Sequence, residues 1–244
     1  MKEDLKVEIC ALESWTNIRE IYLFGSVARG DNDKNSDVDI LIVIDDCDEE
    51  AYINYKKTYA EILNMPVSWL SVYRNHKIEK MHSIGSYFLW HIKEEGIKLY
   101  SRDNCLEQQL LTLPRYKNAC RDLNEYSIIL EDIKESVKKP VVSCEYELAV
   151  LASLVRNTCI AISYMDGRMD FGRETVVKYC FDTYKIHASI DEYRALYEYR
   201  LFNTGKLESV KEAELNMVIY WIVLMDDLLK IGRKRSRDEK EFIC

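Results

Sequence analysis

The spacing of apolar residues divides the chain into a mixed first part and a helical second part. Up to residue 104, short apolar runs alternate with stretches in which apolar residues recur every three or four positions. The short runs predict strands over residues 20–24, 38–44, 67–73 and 97–100, the last at a sheet edge. The periodic stretches predict helices over residues 4–15, 48–63 and 77–95. This order predicts a small mixed sheet covered by helices.

After residue 104 the pattern is helical, with few glycines and no convincing strand. Tyr146 to Tyr164 is apolar nearly all round, which predicts the most buried helix of the second part. Other helices are predicted over residues 116–137, 172–184, 190–201 and 207–231. We therefore predict an α+β protein in which a domain over 1–104 is followed by an all-α antiparallel bundle over 105–234 and a loose charged tail over 235–244.

The most informative chemistry lies between the first two predicted strands. Gly25 and Ser26 allow a sharp turn after the first strand, and backbone N–H groups at such a turn attract phosphate. Ten residues later, Asp37 and Asp39 begin the second strand, where alternation points both carboxylates to one face. Two adjacent carboxylates repel unless a cation lies between them, and oxygen ligands of this kind suit Mg²⁺.

These residues resemble the signature of the nucleotidyltransferase superfamily related to DNA polymerase beta. That signature is a hydrophobic residue, Gly-Ser or Gly-Gly, roughly ten residues, and Asp-x-Asp set among hydrophobic residues. The resemblance implies transfer of a nucleoside monophosphate to an acceptor hydroxyl with release of pyrophosphate. It implies that Gly25 and Ser26 bind phosphates and that Asp37 and Asp39 are catalytic and hold two Mg²⁺ ions. On family grounds ATP is the expected donor.

One position departs from the family pattern. Many members carry a third carboxylate on the next strand, where this chain has Ser68 and Ser71 and no acid. Three interpretations stay open. In the first, a glutamate of the helical domain supplies the base, as in aminoglycoside nucleotidyltransferases, and Glu145 and Glu147 are the candidates. In the second, two carboxylates suffice for slow transfer. In the third, the site binds nucleotide without turnover.

Two arginines are candidate phosphate ligands. Arg29 follows the Gly-Ser turn and either contacts phosphate or forms a surface salt bridge. Arg156 lies in the apolar helix, where an unpaired arginine is costly to bury. We expect it either to meet phosphate at the cleft between the domains, with Arg173 and Lys178, or to form a structural ion pair.

The helical domain resembles that of kanamycin-type nucleotidyltransferases and, weakly, HEPN domains. The sequence Arg156-Asn157 followed by Ser163-Tyr164 matches part of the HEPN ribonuclease motif, but Ser163 stands where the histidine would fall. Without an imidazole we do not predict ribonuclease activity. HEPN domains pair with minimal nucleotidyltransferases as toxin and antitoxin. The alternative function is therefore a catalytically weak or inactive nucleotide-binding regulatory protein with a partner on its bundle.

The composition of the chain restricts which classes of partner and which cellular location are expected. A net charge of −8 argues against long duplex nucleic acid, and favours a small hydroxylated acceptor such as an aminoglycoside, or a protein side chain. Eight cysteines without a Cys-x-x-Cys pair predict reduced thiols of a cytoplasmic protein. The charged start of the chain predicts no signal peptide, and no apolar run approaches the roughly 18 residues of a membrane span. A homodimer is compatible with the sequence.

Overall fold

The computed structural model describes residues 9, 12, 15–34 and 36–242 of the 244-residue chain. The chain forms two compact units that divide after Lys117. The first unit contains a sheet with helices, and the described residues of the second are helical. The predicted α+β class is therefore confirmed. Of the predicted opening helix over residues 4–15, only residues 9, 12 and 15 are described.

The first unit is built on a mixed four-stranded sheet. Its strands are β1 (Ile18–Phe24), β2 (Asp39–Ile44), β3 (Leu70–Arg74) and β4 (Ile97–Ser101), in the spatial order β3-β2-β1-β4. β2 and β3 are parallel, and the other two pairs are antiparallel. All four predicted strands are present, and β4 lies at an edge as predicted. β3 is shorter than predicted, because residues 67–69 form a 3₁₀ turn before it.

Five helices are described in this unit: α1 (Gly25–Arg29), α2 (Glu49–Ile62), α3 (Asn75–Ser83), α4 (Tyr87–Glu95) and α5 (Cys105–Leu111). The prediction of one helix over 77–95 is wrong, because the chain breaks at Gly85. Gly85 has φ +63°, and a side chain there would lie 2.6 Å from the Arg115 carbonyl oxygen. The Ser86 hydroxyl then caps α4 by accepting from the Leu89 N–H.

Strand alternation gives the sheet two apolar faces. Ile40 and Ile42 of β2 are buried in the core that includes Tyr59 of α2. Leu41 and Val43 lie in a second core, formed with residues of α3, α4 and α5. Asp39 begins β2 and shares the alternation of Leu41 and Val43, so its side chain belongs to this second face.

The first unit extends past the predicted boundary at residue 104 to Lys117. Leu106 and Leu110 of α5, together with Leu113, are buried in the second core of the sheet. Glu20 of β1 is fully buried and accepts a hydrogen bond from the Leu106 N–H at the start of α5. A helix tied to the sheet by both apolar burial and a cap belongs to the sheet unit.

In the described part of the second unit the helices are α6 (Ala119–Ser136), α7 (Cys144–Met165), α8 (Thr175–Tyr184), α9 (Ile190–Asn203) and α10 (Leu215–Phe242). α7 packs against each of the other four. Fourteen of its 22 residues are buried, which confirms the predicted central helix. Among the described residues, α7 alone is long and apolar enough to span a membrane, but 78% of its most apolar window is buried inside the protein.

The prediction of a loose tail from residue 235 is wrong for the described residues, because α10 continues to Phe242. The Arg235 Nε donates to Asp166 Oδ1 at 2.6 Å, at the end of α7. Asp166 is itself 8% exposed and accepts from the hydroxyls of Tyr179 and Tyr184. This ion pair holds α10 at Arg235 against the end of the central helix.

Candidate active site

Gly25 and Asp39 are in contact at the end of the β1–β2 pair. Phe24 is the register partner of Asp39, so the residue after Phe24 begins its turn beside the Asp39 side chain. Gly25 has φ +72°, and a methyl group placed on it would lie 3.1 Å from Asp39 Cγ and overlap Oδ2. Only glycine fits this position without displacing the carboxylate. The two halves of the sequence motif, ten residues apart along the chain, therefore form one site.

The turn at Gly25 leads directly into α1, whose first residues are Gly25 and Ser26. The first N–H groups of a helix have no partner within the helix. α1 ends after one turn, because Gly30 adopts φ +82° and the N–H groups of Gly30 and Asp31 both donate to the Ser26 carbonyl. The helix is thereby fixed at both ends, which holds Ser26 half-buried beside the Asp39 strand.

Asp37 lies two residues before Asp39, and Val38 between them is buried in the opposite core of the sheet. Because β2 begins at Asp39, Asp37 precedes the strand, and a common side for the two carboxylates stays a prediction; Asp39 itself lies on the side of Leu41 and Val43. β3 is the parallel neighbour of β2, and its Ser71 is the partner of Leu41 on that same side. The position where a third carboxylate would face Asp39 is therefore occupied by serine. No group of three or more histidine, cysteine or acidic residues suited to a metal occurs in the described part of the chain.

Arg29 ends α1 and is held by two carboxylates. Its Nε lies 3.1 Å from Asp31 Oδ2, and its Nη1 donates to Glu95 Oε2. Burial opposes the positive charge, but the hydrogen bonds and charges of Asp31 and Glu95 keep the pKa of Arg29 above its ordinary value. The predicted phosphate ligand thus has carboxylate partners within its own unit.

Glu95 also contacts a second residue next to the turn. Its Oε2 lies 2.9 Å from His91 Nε2, one helical turn earlier on α4. The His91 ring meets the Phe24 ring edge-on, with the ring centroids 5.3 Å apart. Glu95 is 8% exposed and His91 18% exposed, so this contact is largely shielded from water.

Residues 8–105 match the family model described as Polymerase beta, Nucleotidyltransferase. This part of the chain is a nucleotidyltransferase domain. The match covers the sheet, the Gly-Ser turn and both aspartates, and it ends where α5 begins. The resemblance stated from the motif is confirmed. No curated protein sequence is significantly similar to this chain.

Solved structures resemble the chain at low identity. A crystal structure of a toxin-antitoxin with AMP-PNP is 19% identical, and the alignment covers 53% of this chain and 98% of that one with a TM-score of 0.34. A crystal structure of spectinomycin adenyltransferase AAD(9) from Enterococcus faecialis, with ATP and spectinomycin, is 14% identical. That alignment covers 94% of this chain and 99% of the other, with a TM-score of 0.49. With TM-scores below 0.5, neither bears on function, and the assignment rests on the family model and the motif.

The helical unit carries the remaining predicted site residues, of which Glu145, Glu147 and Arg156 lie on α7. Glu145 lies in the first turn of the helix and is half-buried, whereas Glu147 is 7% exposed. Arg156 is eleven residues after Glu145, which separates them by about 16 Å along the helix axis on the same face. Arg156 Nη2 donates to the Phe171 carbonyl at 2.6 Å. Within their unit, Glu145 and Arg156 are therefore too far apart to act on one atom together.

Two long-range contacts of the nucleotidyltransferase domain were not expected from sequence. Glu95 binds Arg29 across 66 positions of sequence, and Glu20 caps α5 across 86. The only sequence signal for Glu95 is its spacing four residues after His91, which places the two on one helix face. Glu20 has no such signal, because an acid within an apolar strand gives no indication of the distant N–H that it binds.

Proposed function

We propose that the chain is a Mg²⁺-dependent nucleotidyltransferase that transfers AMP from ATP to an acceptor hydroxyl and releases pyrophosphate. The contact between Gly25 and Asp39 carries this proposal. A turn with unpaired N–H groups binds phosphate, and a carboxylate beside it binds the cation that accompanies phosphate.

The residues present fit a magnesium site. Asp39 at the start of β2 and Asp37 two residues before it would offer carboxylate oxygens, the donor type that Mg²⁺ prefers, and phosphate oxygens and water would complete its coordination. Bound there, Mg²⁺ would neutralise charge on the phosphates and lower the pKa of an acceptor hydroxyl. The N–H groups of Gly25 and Ser26, with the Ser26 hydroxyl, would orient the phosphates, and positioning supplies much of the rate in such reactions.

The acceptor is expected to be small and cationic, or a protein side chain. The net charge of −8 disfavours a long polyanion such as RNA, because each phosphate would approach a surface of like sign. An aminoglycoside carries both hydroxyls and positive charge, and is therefore the first small molecule to test. We further propose that Glu145 or Glu147 removes the acceptor proton, because Ser71 cannot do so at neutral pH.

The test is incubation of the purified chain with each of the four α-labelled ribonucleoside triphosphates, Mg²⁺, and a panel of aminoglycosides and proteins. Label transfer from ATP to a hydroxyl acceptor, with stoichiometric pyrophosphate, is the expected result. Asp132→Asn, a substitution of an exposed acid on α6, is the matched control and should behave as wild type. Absence of transfer and of self-labelling with all four triphosphates would contradict the proposal.

A second function has one observation in its favour. Ser71 of β3 is the partner of Leu41 and lies on the same side of the sheet as Asp39. Many relatives have an acid on this strand, and this chain has none. A nucleotide-binding regulatory protein, with a partner on its helical unit, needs only the phosphate and cation contacts. Calorimetry distinguishes the two functions. Binding of ATP and Mg²⁺ by the pure protein, with no turnover against any acceptor, would favour the regulatory role.

A further inference from the structure

We infer that Glu95 and His91 are positioning residues for the nucleotide, and that Arg29 acts through Glu95 instead of contacting phosphate. This inference rests on the proposed function. It concerns the turn formed by Gly25 and Ser26, which has a contact with α4 on each side. His91 packs on Phe24 immediately before the turn, and Glu95 binds Arg29 at the end of the helix that follows it.

The geometry makes Glu95 the shared anchor of both contacts. One of its oxygens, Oε2, receives both the Arg29 guanidinium and His91 Nε2. Because Glu95 is 8% exposed, its charge is costly without these partners. The side chain is therefore held in one position, and it fixes residues on either side of the turn relative to α4. We name these four residues, Phe24, Arg29, His91 and Glu95, the α4 clamp.

α4 is a stable base for such a clamp. Its Leu89 and Ile92 are fully or almost fully buried in the second core of the sheet, and the Ser86 hydroxyl caps its first turn. α1 has five residues, of which Gly25 and Val27 are buried, and Val27 packs in the same core as Ile40 and Ile42. Its position relative to Asp39 is therefore set by the neighbours that hold it, and the clamp supplies contacts at both ends.

The clamp predicts a specific change in nucleotide binding. Replacing Glu95 by Gln removes the charge while keeping the shape, so Arg29 and His91 lose their common anchor. We expect the KM for ATP, and its Kd in Mg²⁺ buffer, to rise about twofold to a hundredfold, the range of coupling between residues in one network. The kcat should change less, because Asp37 and Asp39 remain in place. Glu94→Gln, at the neighbouring exposed position, is the matched control and should leave both constants unchanged.

Glu95→Gln also separates the clamp from the alternative role of Arg29. If Arg29 were a phosphate ligand, removal of Glu95 would release its guanidinium and tighten ATP binding. In the clamp, the same change weakens ATP binding. Arg29→Met in the Glu95→Gln background gives a second criterion: the double variant should bind ATP no more weakly than the more affected single variant. Multiplicative losses, or tighter binding by Glu95→Gln, would overturn the inference.

The experiment also distinguishes failure of the clamp from failure of the proposed function. Calorimetry of the wild-type 244-residue chain with ATP and Mg²⁺ comes first, and no binding there contradicts the proposed function. If wild type binds and Glu95→Gln binds equally well, the clamp alone is wrong. Thermal unfolding of each variant identifies general loss of structure. His91→Phe keeps a ring against Phe24 and loses the bond to Glu95. It should weaken ATP binding, but by less than Glu95→Gln does. This variant tests the clamp if Glu95→Gln unfolds.

Discussion

The backbone of Gly25 touches the carboxylate of Asp39, and this contact joins the two halves of the motif into one site. It arises because Phe24 and Asp39 are partners in the antiparallel β1–β2 pair. The turn that follows β1 and the acid that begins β2 must then lie side by side. Strand pairing therefore brings the phosphate and cation ligands side by side, and the α4 clamp, from a distant part of the chain, then holds the turn in position.

The first prediction concerns Gly25. Gly25→Ala adds a methyl group that overlaps Asp39 Oδ2 and strains a residue with φ +72°. We expect kcat/KM for transfer to fall by about a hundredfold, the typical effect of a displacement of about 1 Å in a reacting group. Gly30→Ala is the control, because it has similar strain at φ +82° but nothing within 4 Å of the added methyl. Equal losses in both variants would show that strain alone, and not the Asp39 contact, matters.

The second prediction concerns the missing base. If Glu145 supplies it, Glu145→Gln should lower kcat by about a hundredfold to ten-thousandfold, the usual effect of losing a general base. The Kd for ATP should stay within about twofold of wild type, because donor binding does not use this carboxylate. Glu147→Gln is the parallel variant, with its unfolding checked because Glu147 is buried. Full turnover in both variants would exclude a helical-unit base at these positions.

The strand–turn–strand segment that carries the motif was predictable from sequence, whereas the long-range contacts of the domain were not. The motif residues lie within one strand–turn–strand segment, so alternation and turn chemistry suffice to bring them together. Glu20, Glu95 and the break at Gly85 depend on chain that is far away in sequence. The break requires the carbonyl oxygens of Pro114 and Arg115 to approach, which no helical periodicity reveals. The tail was misjudged for the same reason, since its charge pattern does not show that Arg235 has a buried carboxylate partner.

The third prediction concerns the buried carboxylate of Glu20. Burial raises the pKa of Glu20 in the folded state, with a further contribution from the charge of Asp103. The folded state therefore favours the protonated form of Glu20. The stability contributed by this protonation is fully present below the ordinary pKa near 4.5, and it is lost as the pH rises through the pKa of the folded state. Glu20→Gln stays neutral. Its free energy of unfolding should therefore increase relative to wild type between acidic and neutral pH, as measured by urea unfolding.

Glu20→Ala tests the cap that the same carboxylate provides. This variant leaves the buried Leu106 N–H without its acceptor, and we expect the free energy of unfolding to fall by about 1–3 kcal/mol at neutral pH. If the free energies of unfolding of Glu20→Gln and wild type depend on pH in the same way, Glu20 is not a buried acid with a raised pKa. Undiminished stability of Glu20→Ala would contradict the cap.

The fourth prediction concerns the end of α10. Arg235→Met removes the guanidinium bound to Asp166, which is 8% exposed and keeps only its tyrosine partners among the contacts described above. The free energy of unfolding should fall by about 1–3 kcal/mol, as for other hydrogen bonds between charged groups. Arg237→Met, at an exposed position of the same helix, should change it by less than about 0.5 kcal/mol. Equal stability of the two variants would show that the Arg235 contact contributes nothing.

The most direct measurement is Mg²⁺-dependent transfer of label from α-labelled ATP by wild type, Asp37→Asn and Asp39→Asn. Each substitution keeps the side-chain shape and removes one formal charge from the cation site. Wild type should transfer label with Mg²⁺ and not with EDTA. Both variants should lose at least about a hundredfold in rate while circular dichroism stays unchanged. Wild-type rates in both aspartate variants, or equal transfer with and without Mg²⁺, would contradict the assignment of this site.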